Sequence, residues 1–285
     1  MKAMKDLCIH RGVALSLGKV CDGALICAYH GWRYDNEGKC IFVPQLDDQN
    51  KIPPKAKIET YQCREEHGMV WVALDAPRFD LPDIPELKSP EWHIAETGPF
   101  PWKAAAGRQV ENFTDFAHFP FVHPELLGDP ERPLVPPYSV KREDHILNYE
   151  ITRPEARNTK DFPIFANPDQ EQPLRHNRYQ LHLPYTIVLR ISWPGTEKSM
   201  IYLFASQPVG RKTCIGYCII AQNYTPFEAE VLRQFEGVIF SQDQTIVESQ
   251  RPEQVPFDLS AELHLKFDAV AVAYRRSLIE FGFEI

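Results

Sequence analysis

Three regimes of hydrophobic patterning follow one another along the chain. Residues 1–75 read as short strands broken at Gly18, Gly23, Gly31 and Gly38, with a buried strand expected at His67–Ala73 (HGMVWVA). Residues 76–101 carry prolines at 77, 82, 85, 90, 99 and 101 and read as a connector. Beyond it a helix is expected near Ala104–His118. Strand-like runs follow at Ile146–Thr152, Asn177–Trp193, Ser199–Gln207 and Thr213–Asn223, with turns such as Pro194-Gly195 and Pro208-Val209-Gly210 between them. That spacing predicts an antiparallel meander. Thr225-Pro226 then opens a helix over 226–250, as an N-cap threonine with proline in the first helical position. Its apolar stripe is Leu232, Phe235, Ile239 and Ile246. A second helix is expected over roughly Ala261–Phe281. The outline is α+β: a small all-β domain over 1–80, then a domain over 81–285 in which helices pack on an antiparallel sheet.

Composition narrows the class. With 44% hydrophobic and 25% charged residues the chain is globular. Twenty-five prolines among 285 residues favour strands and fixed loops over a helical bundle. A net charge of −8 argues against coating nucleic acid, because phosphate binding needs a basic face. The longest clean apolar stretch, Cys214–Ala221 (CIGYCIIA), is far short of a membrane span. The segment MKAMKDLCIHRG has no apolar leader region, and seven cysteines without a disulfide framework suit a reduced compartment. A cytoplasmic location is the expectation. Cys21, Cys40, Cys63, Cys214 and Cys218 fit no motif and read as structural, as do His67 and His93.

Two constellations carry chemistry. The first is Cys8-Ile-His10, then sixteen residues, then Cys27-Ala-Tyr-His30. Two thiolates and two imidazoles suit either zinc or a [2Fe–2S] cluster with two cysteines on one iron and two histidines on the other. Zinc fingers usually pair like ligands, whereas each loop here supplies one Cys and one His. Arg11-Gly12 and Gly31-Trp32 flank the loops, and glycines let backbone N–H groups approach cluster sulfurs.

The second constellation is Asp115, His118 and His123 in ENFTDFAHFPFVH (111–123). Asp115 and His118 share a helix face. His118 and His123 stand about 140° apart on a regular helix and cannot chelate one metal from it. Pro120 and Pro124 predict that the helix ends and turns there. Two such histidines call for a distant carboxylate, completing a 2-His-1-carboxylate set with open positions for O₂. Asp243 fits, because it falls on the apolar stripe of the 226–250 helix, where an unpaired aspartate is costly. Glu248 is the rival and falls off the stripe. Asn112, one turn before Asp115, is expected to line the pocket or bond nearby groups.

CIHRG…CAYHGW resembles the Rieske iron–sulfur motif, and ENFTDFAHFPFVH with QDQTIVESQ (242–250) resembles the catalytic domain of Rieske non-haem iron oxygenases. The extra cysteine of the high-potential respiratory branch is replaced in each loop, by Val13 and Tyr29, so the likeness is to the oxygenase branch. The late helix and DAVAVAYRR (268–276) look most like the vanillate O-demethylase and phthalate dioxygenase group. The resemblance implies a Rieske domain followed by a helix-grip (START/Bet v1-like) catalytic domain. It implies Cys8, His10, Cys27 and His30 as cluster ligands, and His118, His123 and Asp243 as ligands of a mononuclear Fe(II). Asp115 becomes the catalytic bridge between the two centres, across a head-to-tail homotrimer. The implied activity is hydroxylation or demethylation of an aromatic small molecule with O₂ and electrons from a separate reductase or ferredoxin. Only seven residues precede Cys8, where the family has further strands, so the Rieske domain is expected to be shortened at its N-terminus. The competing expectations are an electron-transfer protein with a non-catalytic pocket, a zinc-binding module and an inactive truncated oxygenase.

Overall fold

A computed structural model describes residues 1–154, 174–224 and 229–283. The chain divides into two compact units, Met1–Leu81 and Pro82–Ile285.

The first unit holds two small antiparallel sheets. One comprises β1 (Ala3–Met4), β6 (Thr60–Glu66) and β7 (Met69–Ala73); the other runs β2 (Lys19–Cys21), β3 (Ala24–Ile26), β4 (Arg33–Tyr34) and β5 (Cys40–Phe42). Leu15, Tyr34, Cys40, Val43, Ala56 and Ile58 form its core around Cys8 and Cys27. The HGMVWVA segment differs from expectation. His67 and Gly68 both take positive φ in the turn between β6 and β7, and Val70 and Val72 stay about half exposed, so the strand is not buried.

The second unit is a seven-stranded antiparallel sheet. Its strands are β8 (His93–Trp102), β9 (Lys141–Glu143), β10 (Ile146–Pro154), β11 (Leu174–His182), β12 (Thr186–Ser192), β13 (Ser199–Gly210) and β14 (Thr213–Gln222). From β9 to β14 they are neighbours in chain order, the expected meander, and β8 closes the far edge beside β14. Strand β8 lies inside the proline-rich stretch read as a connector. It carries Pro99 and Pro101 because an edge strand tolerates missing ladder donors. The single run expected over Asn177–Trp193 is two strands that turn at Leu183–Tyr185.

Among the described residues four α-helices complete the unit: α1 (Ala106–Thr114), α2 (Phe119–Val122), α3 (Ala229–Val247) and α4 (Ala269–Phe281). The helix expected over Ala104–His118 thus breaks at Asp115, and the one expected from Ala261 begins at Ala269, after two short 3-10 turns. Thr225-Pro226 and the loop 155–173 lie outside the described residues.

Helix α3 packs along β8, and α1 packs on β13, β14 and α3. The buried face of α3 is Leu232, Phe235, Glu236, Ile239, Phe240, Asp243 and Val247. Ile246 is 50% exposed; the stripe passes through Val247, because 3.6 residues per turn carries it there from Phe240. Stacked rings fasten the helices to the sheet, Phe100 on Phe240 at 4.1 Å and Phe113 on Phe204 at 4.4 Å. Arg275 of α4 bonds Glu111 of α1 at 2.6 Å and Glu262 at 2.6 Å, and Arg108 bonds Glu262 at 2.7 Å. Both guanidiniums are buried, and removing one partner of such a group costs about 3–5 kcal/mol. That network holds α1, from whose end the site residues project.

Candidate active site and cluster loops

In the first unit the two Cys/His segments fold into matching loops. Cys8 N–H donates to Val13 O at 2.8 Å, and Gly12 N–H donates to Cys8 O at 2.9 Å. Cys27 N–H donates to Trp32 O at 2.9 Å, and Gly31 N–H to Cys27 O at 3.1 Å. Gly12 and Gly31 take the same left-handed conformation, φ +68° and +71°, which closes each loop over its cysteine. The loops meet at their histidines, with the His10 and His30 rings 4.6 Å apart and His10 stacked on Trp32 at 4.5 Å. Both thiols are buried and free, and Cys8 Sγ lies 3.1 Å from Tyr34 Oη. Burial, then the neighbouring His30 and Arg11, lowers the His10 pKa. His10 Nδ1 is buried with no hydrogen-bond partner, which fits a nitrogen that awaits a metal.

These four residues do not converge as a single-ion set. Among the described residues, the only group of three or more His, Cys, Asp or Glu whose ligand atoms all lie within 4.8 Å is His118, His123 and Asp243. Two thiols and two imidazoles on separate loops fit a dinuclear cluster better than one zinc ion.

In the second unit, the turn that follows α1 brings His118 and His123 to Asp243, a group that could hold one metal ion. Asp115 leaves the helix with extended ψ and accepts Ala117 N–H at 2.8 Å, which turns the chain at the break. His118 and His123 then flank the single turn of α2, with rings 5.2 Å apart. Gly128 packs against that turn, where an added Cβ would meet Pro120 N at 2.5 Å.

Each imidazole is oriented through Nδ1. His118 Nδ1 lies 2.9 Å from Asp115 Oδ2, and His123 Nδ1 lies 2.7 Å from Gln242 Oε1. Both Nε2 atoms are thereby turned toward Asp243, whose Oδ1 is 3.4 Å from His118 Nε2 and 3.0 Å from His123 Nε2. His123 is fully buried, and its Nε2 makes no hydrogen bond of acceptable geometry despite that proximity. Asn112 Nδ2 donates to Asp243 Oδ1 at 3.0 Å. Two imidazole nitrogens and one carboxylate, each held from behind, fit a mononuclear metal.

The charges agree. Burial opposes the ionised Asp243, but His118 and His123 outweigh it and hold the carboxyl at about 2. Burial likewise opposes a charged His118, but Asp115 and Asp243 outweigh it and raise its pKa to about 9. Glu248, the rival carboxylate, is engaged elsewhere and accepts Lys103 N–H at 2.8 Å and Gln244 Nε2–H at 2.7 Å. Sequence reasoning missed Gln242, although it is the residue before Asp243, and Gly128.

A cavity opens beside the three residues, walled by Phe113, Leu189, Phe235, Ile239 and Phe240, with Glu236, Arg175 and Tyr202 among the polar lining. Among the described residues no helix is long and apolar enough to cross a membrane.

A Cys/His loop pair on a small β unit, with a 2-His-1-carboxylate set beside a cavity in a helix-covered sheet, defines an iron-dependent oxygenase with its own cluster. Comparison with known proteins agrees. The Rieske [2Fe-2S] domain matches residues 1–62, and the vanillate O-demethylase oxygenase C-terminal domain matches residues 102–281. The methylxanthine N1-demethylase NdmA of Pseudomonas putida is 34% identical over 284 residues, 98% of this chain and 76% of that protein. The structure of Pseudomonas putida CBB5 NdmA with caffeine superposes with a TM-score of 0.85 at 31% identity, covering 96% of this chain and 77% of that one. Dicamba monooxygenase bound to dicamba shares the fold, with a TM-score of 0.82 at 20% identity over 98% of this chain and 85% of that one. The chain belongs to the Rieske non-haem iron oxygenases. It is an oxygenase component whose cofactors are a [2Fe–2S] cluster and a mononuclear iron. It acts on an aromatic or related small molecule with O₂ and electrons from a separate electron-transfer partner.

Proposed function

We propose that this oxygenase removes a methyl group from an N-methylated heteroaromatic, the substrate type named for its methylxanthine demethylase relatives. The observation that carries the reading is the aromatic-walled cavity that opens directly onto His118, His123 and Asp243. An iron held there would supply O₂ activation: O₂, two electrons and two protons would convert one methyl C–H bond to C–OH with the second oxygen leaving as water, and the N-hydroxymethyl group would then part as formaldehyde, leaving N–H on the ring.

The chain's own residues do the rest. Cys8, His10, Cys27 and His30 hold the cluster, and His118, His123 and Asp243 hold the iron. Asp115 and Gln242 keep the two imidazoles in the tautomer that presents Nε2 to the metal. Asn112 holds the Asp243 carboxylate by its Oδ1. Phe113, Phe235 and Phe240 grip a planar ring and exclude water. Residues 1–80 serve as the cluster domain and 81–285 as the catalytic domain. The protein works in the cytoplasm as a homotrimer in which His30 of one copy faces Asp115 of the next, and that carboxylate carries the electron path to His118.

The test is a coupled assay on anaerobically iron-loaded protein with a reductase and NADH. O₂ uptake matched by formaldehyde release from caffeine, theobromine or an N-methylated pyridone supports the reading. Hydroxylated product without formaldehyde overturns it in favour of ring hydroxylation.

A further inference from the structure

The cavity is not uniformly apolar. Glu236 lies seven residues before Asp243 on α3, two turns away on the same face and about 10 Å along the helix axis. It lines the cavity and is only 4% exposed. Tyr202 of β13 donates its hydroxyl to Glu236 Oε1 at 3.1 Å. A buried acid is costly, and this one is not needed to orient the iron ligands, which lean on Asp115, Gln242 and Asn112. Burial pushes the Glu236 carboxyl up to about 8. The charge of Asp243 adds to the rise, while Tyr202 and Arg175 oppose it. At neutral pH the group is therefore mostly a neutral acid. With Oε1 accepting from Tyr202, Oε2 is left to carry the proton. A neutral carboxyl with that geometry is a hydrogen-bond donor, set two helical turns from Asp243 on the wall of the same cavity.

We propose that Glu236, held by Tyr202, is the specificity-determining group of this cavity. Its carboxyl donates a hydrogen bond to a carbonyl or ring-nitrogen acceptor of a planar, uncharged substrate. That bond selects which edge of the ring faces His118, His123 and Asp243. The assignment rests on the demethylase reading only for the bond that is finally broken; the binding chemistry stands on the cavity itself.

The experiment is calorimetric titration of iron-loaded protein under nitrogen. The probes are caffeine and N-methyl-2-quinolone (uncharged acceptors), naphthalene (no acceptor), N,N-dimethylbenzylamine (a cation) and 4-methoxybenzoate (an anion). The wild type is expected to prefer the uncharged acceptors. Glu236→Gln keeps a donor and should stay within about threefold of the wild type, with the same circular dichroism. Glu236→Leu should weaken the acceptor probes about tenfold or more, the size of one unmade buried hydrogen bond, and leave naphthalene unchanged. Tyr202→Phe, which releases the carboxyl, should fall between them. Preference for the cation, lost in Glu236→Gln, would mean that an ionised carboxylate does the selecting and would overturn the proposal. Unchanged caffeine affinity in Glu236→Leu, or no binding of either uncharged acceptor, would overturn it as well. Formaldehyde release is scored separately on the same samples. The binding pattern without formaldehyde sinks the demethylase reading and leaves Glu236 as the selector; formaldehyde with unaltered KM in Glu236→Leu does the reverse.

Discussion

Gly128→Ala places a single methyl group against the backbone that spaces the two histidines. The added Cβ would lie 2.5 Å from Pro120 N and 2.7 Å from both Phe119 C and Pro120 Cα. Ordinary contact begins near 3.4 Å, so either α2 or the backbone at Gly128 must retreat by about 0.9 Å. Neither retreats freely. Gly128 is buried, Glu125 N–H donates to its carbonyl at 2.9 Å, and Phe119 beside it is packed in the core. Overpacking of this kind costs about 1–3 kcal/mol. Because the turn of α2 lies between His118 and His123, the displacement also spreads or tilts the pair. Metal sites tolerate about 0.2 Å in ligand distance, so a shift several times larger should cost iron affinity 10- to 100-fold, as misoriented ligands do. Competition with a chromophoric chelator measures that affinity, and thermal unfolding of the metal-free protein measures the strain. A variant that binds Fe(II) within threefold of the wild type and melts at the same temperature would refute the account of Gly128 as the spacer behind the histidines.

Four further outcomes follow from the same geometry. Asp115→Asn should keep cluster and iron but slow oxidation of the reduced cluster at least 100-fold in single-turnover absorbance traces; wild-type rates would rule out the bridge. Gln242→Leu should weaken Fe(II) binding about 10- to 100-fold, because His123 loses the partner that fixes its tautomer, and unchanged affinity would remove Gln242 from the site. Cys8→Ser should abolish the visible and paramagnetic signature of the cluster while mononuclear iron stays bound, and loss of both would contradict two independent centres. Glu236 gives stability a pH slope: its native carboxyl sits at about 8 against an ordinary 4.5, so only the native state holds the proton between those values. Stability should therefore be flat below pH 4.5 and fall from about pH 5 to 8 by up to roughly 1.4 kcal/mol per unit; urea melts of Glu236→Gln should lack that slope.

Spacing carries the site further than it carries the fold. D-x₂-H brings Asp115 and His118 together at 2.9 Å, though not on the shared helix face that the spacing predicts: Asp115 has left α1 with extended backbone, and its carboxylate holds the turn by accepting Ala117 N–H at 2.8 Å. The break that lets His123 swing back falls at Asp115, five residues before Pro120, which instead sits in the first turn of α2; the apolar stripe of α3 points Asp243 inward, where it is buried. Gln242 leaves no such trace, since a neutral amide beside a ligand has no period and no charge anomaly. Gly128 is equally silent: its need for a bare Cα comes from α2 packing over it, a tertiary contact. Strand β8 was hidden by its own prolines, which read as a linker until the sheet supplies an edge to hold them. Ile246 and Val247 are adjacent apolar residues, and only the phase accumulated over two turns decides which faces inward.

The two histidine partners differ in kind, and the difference divides the labour of the site. Behind His118 stands a carboxylate, Asp115, whose side chain is 36% exposed; behind fully buried His123 stands a neutral amide. A carboxylate both orients an imidazole and increases its electron donation, whereas an amide only orients. A second carboxylate behind His123 would add another buried charge to a pocket that already carries Asp243, and burial would penalise it without relief from solvent. Asp115 avoids that penalty by its exposure and by the backbone N–H of Ala117, which donates to it at 2.8 Å. Charge therefore enters on the one side of the site that water reaches, and the dry side is held by dipoles. That asymmetry is what an oxygenase needs if electrons arrive through Asp115 behind His118 while substrate occupies the cavity that His118, His123 and Asp243 line.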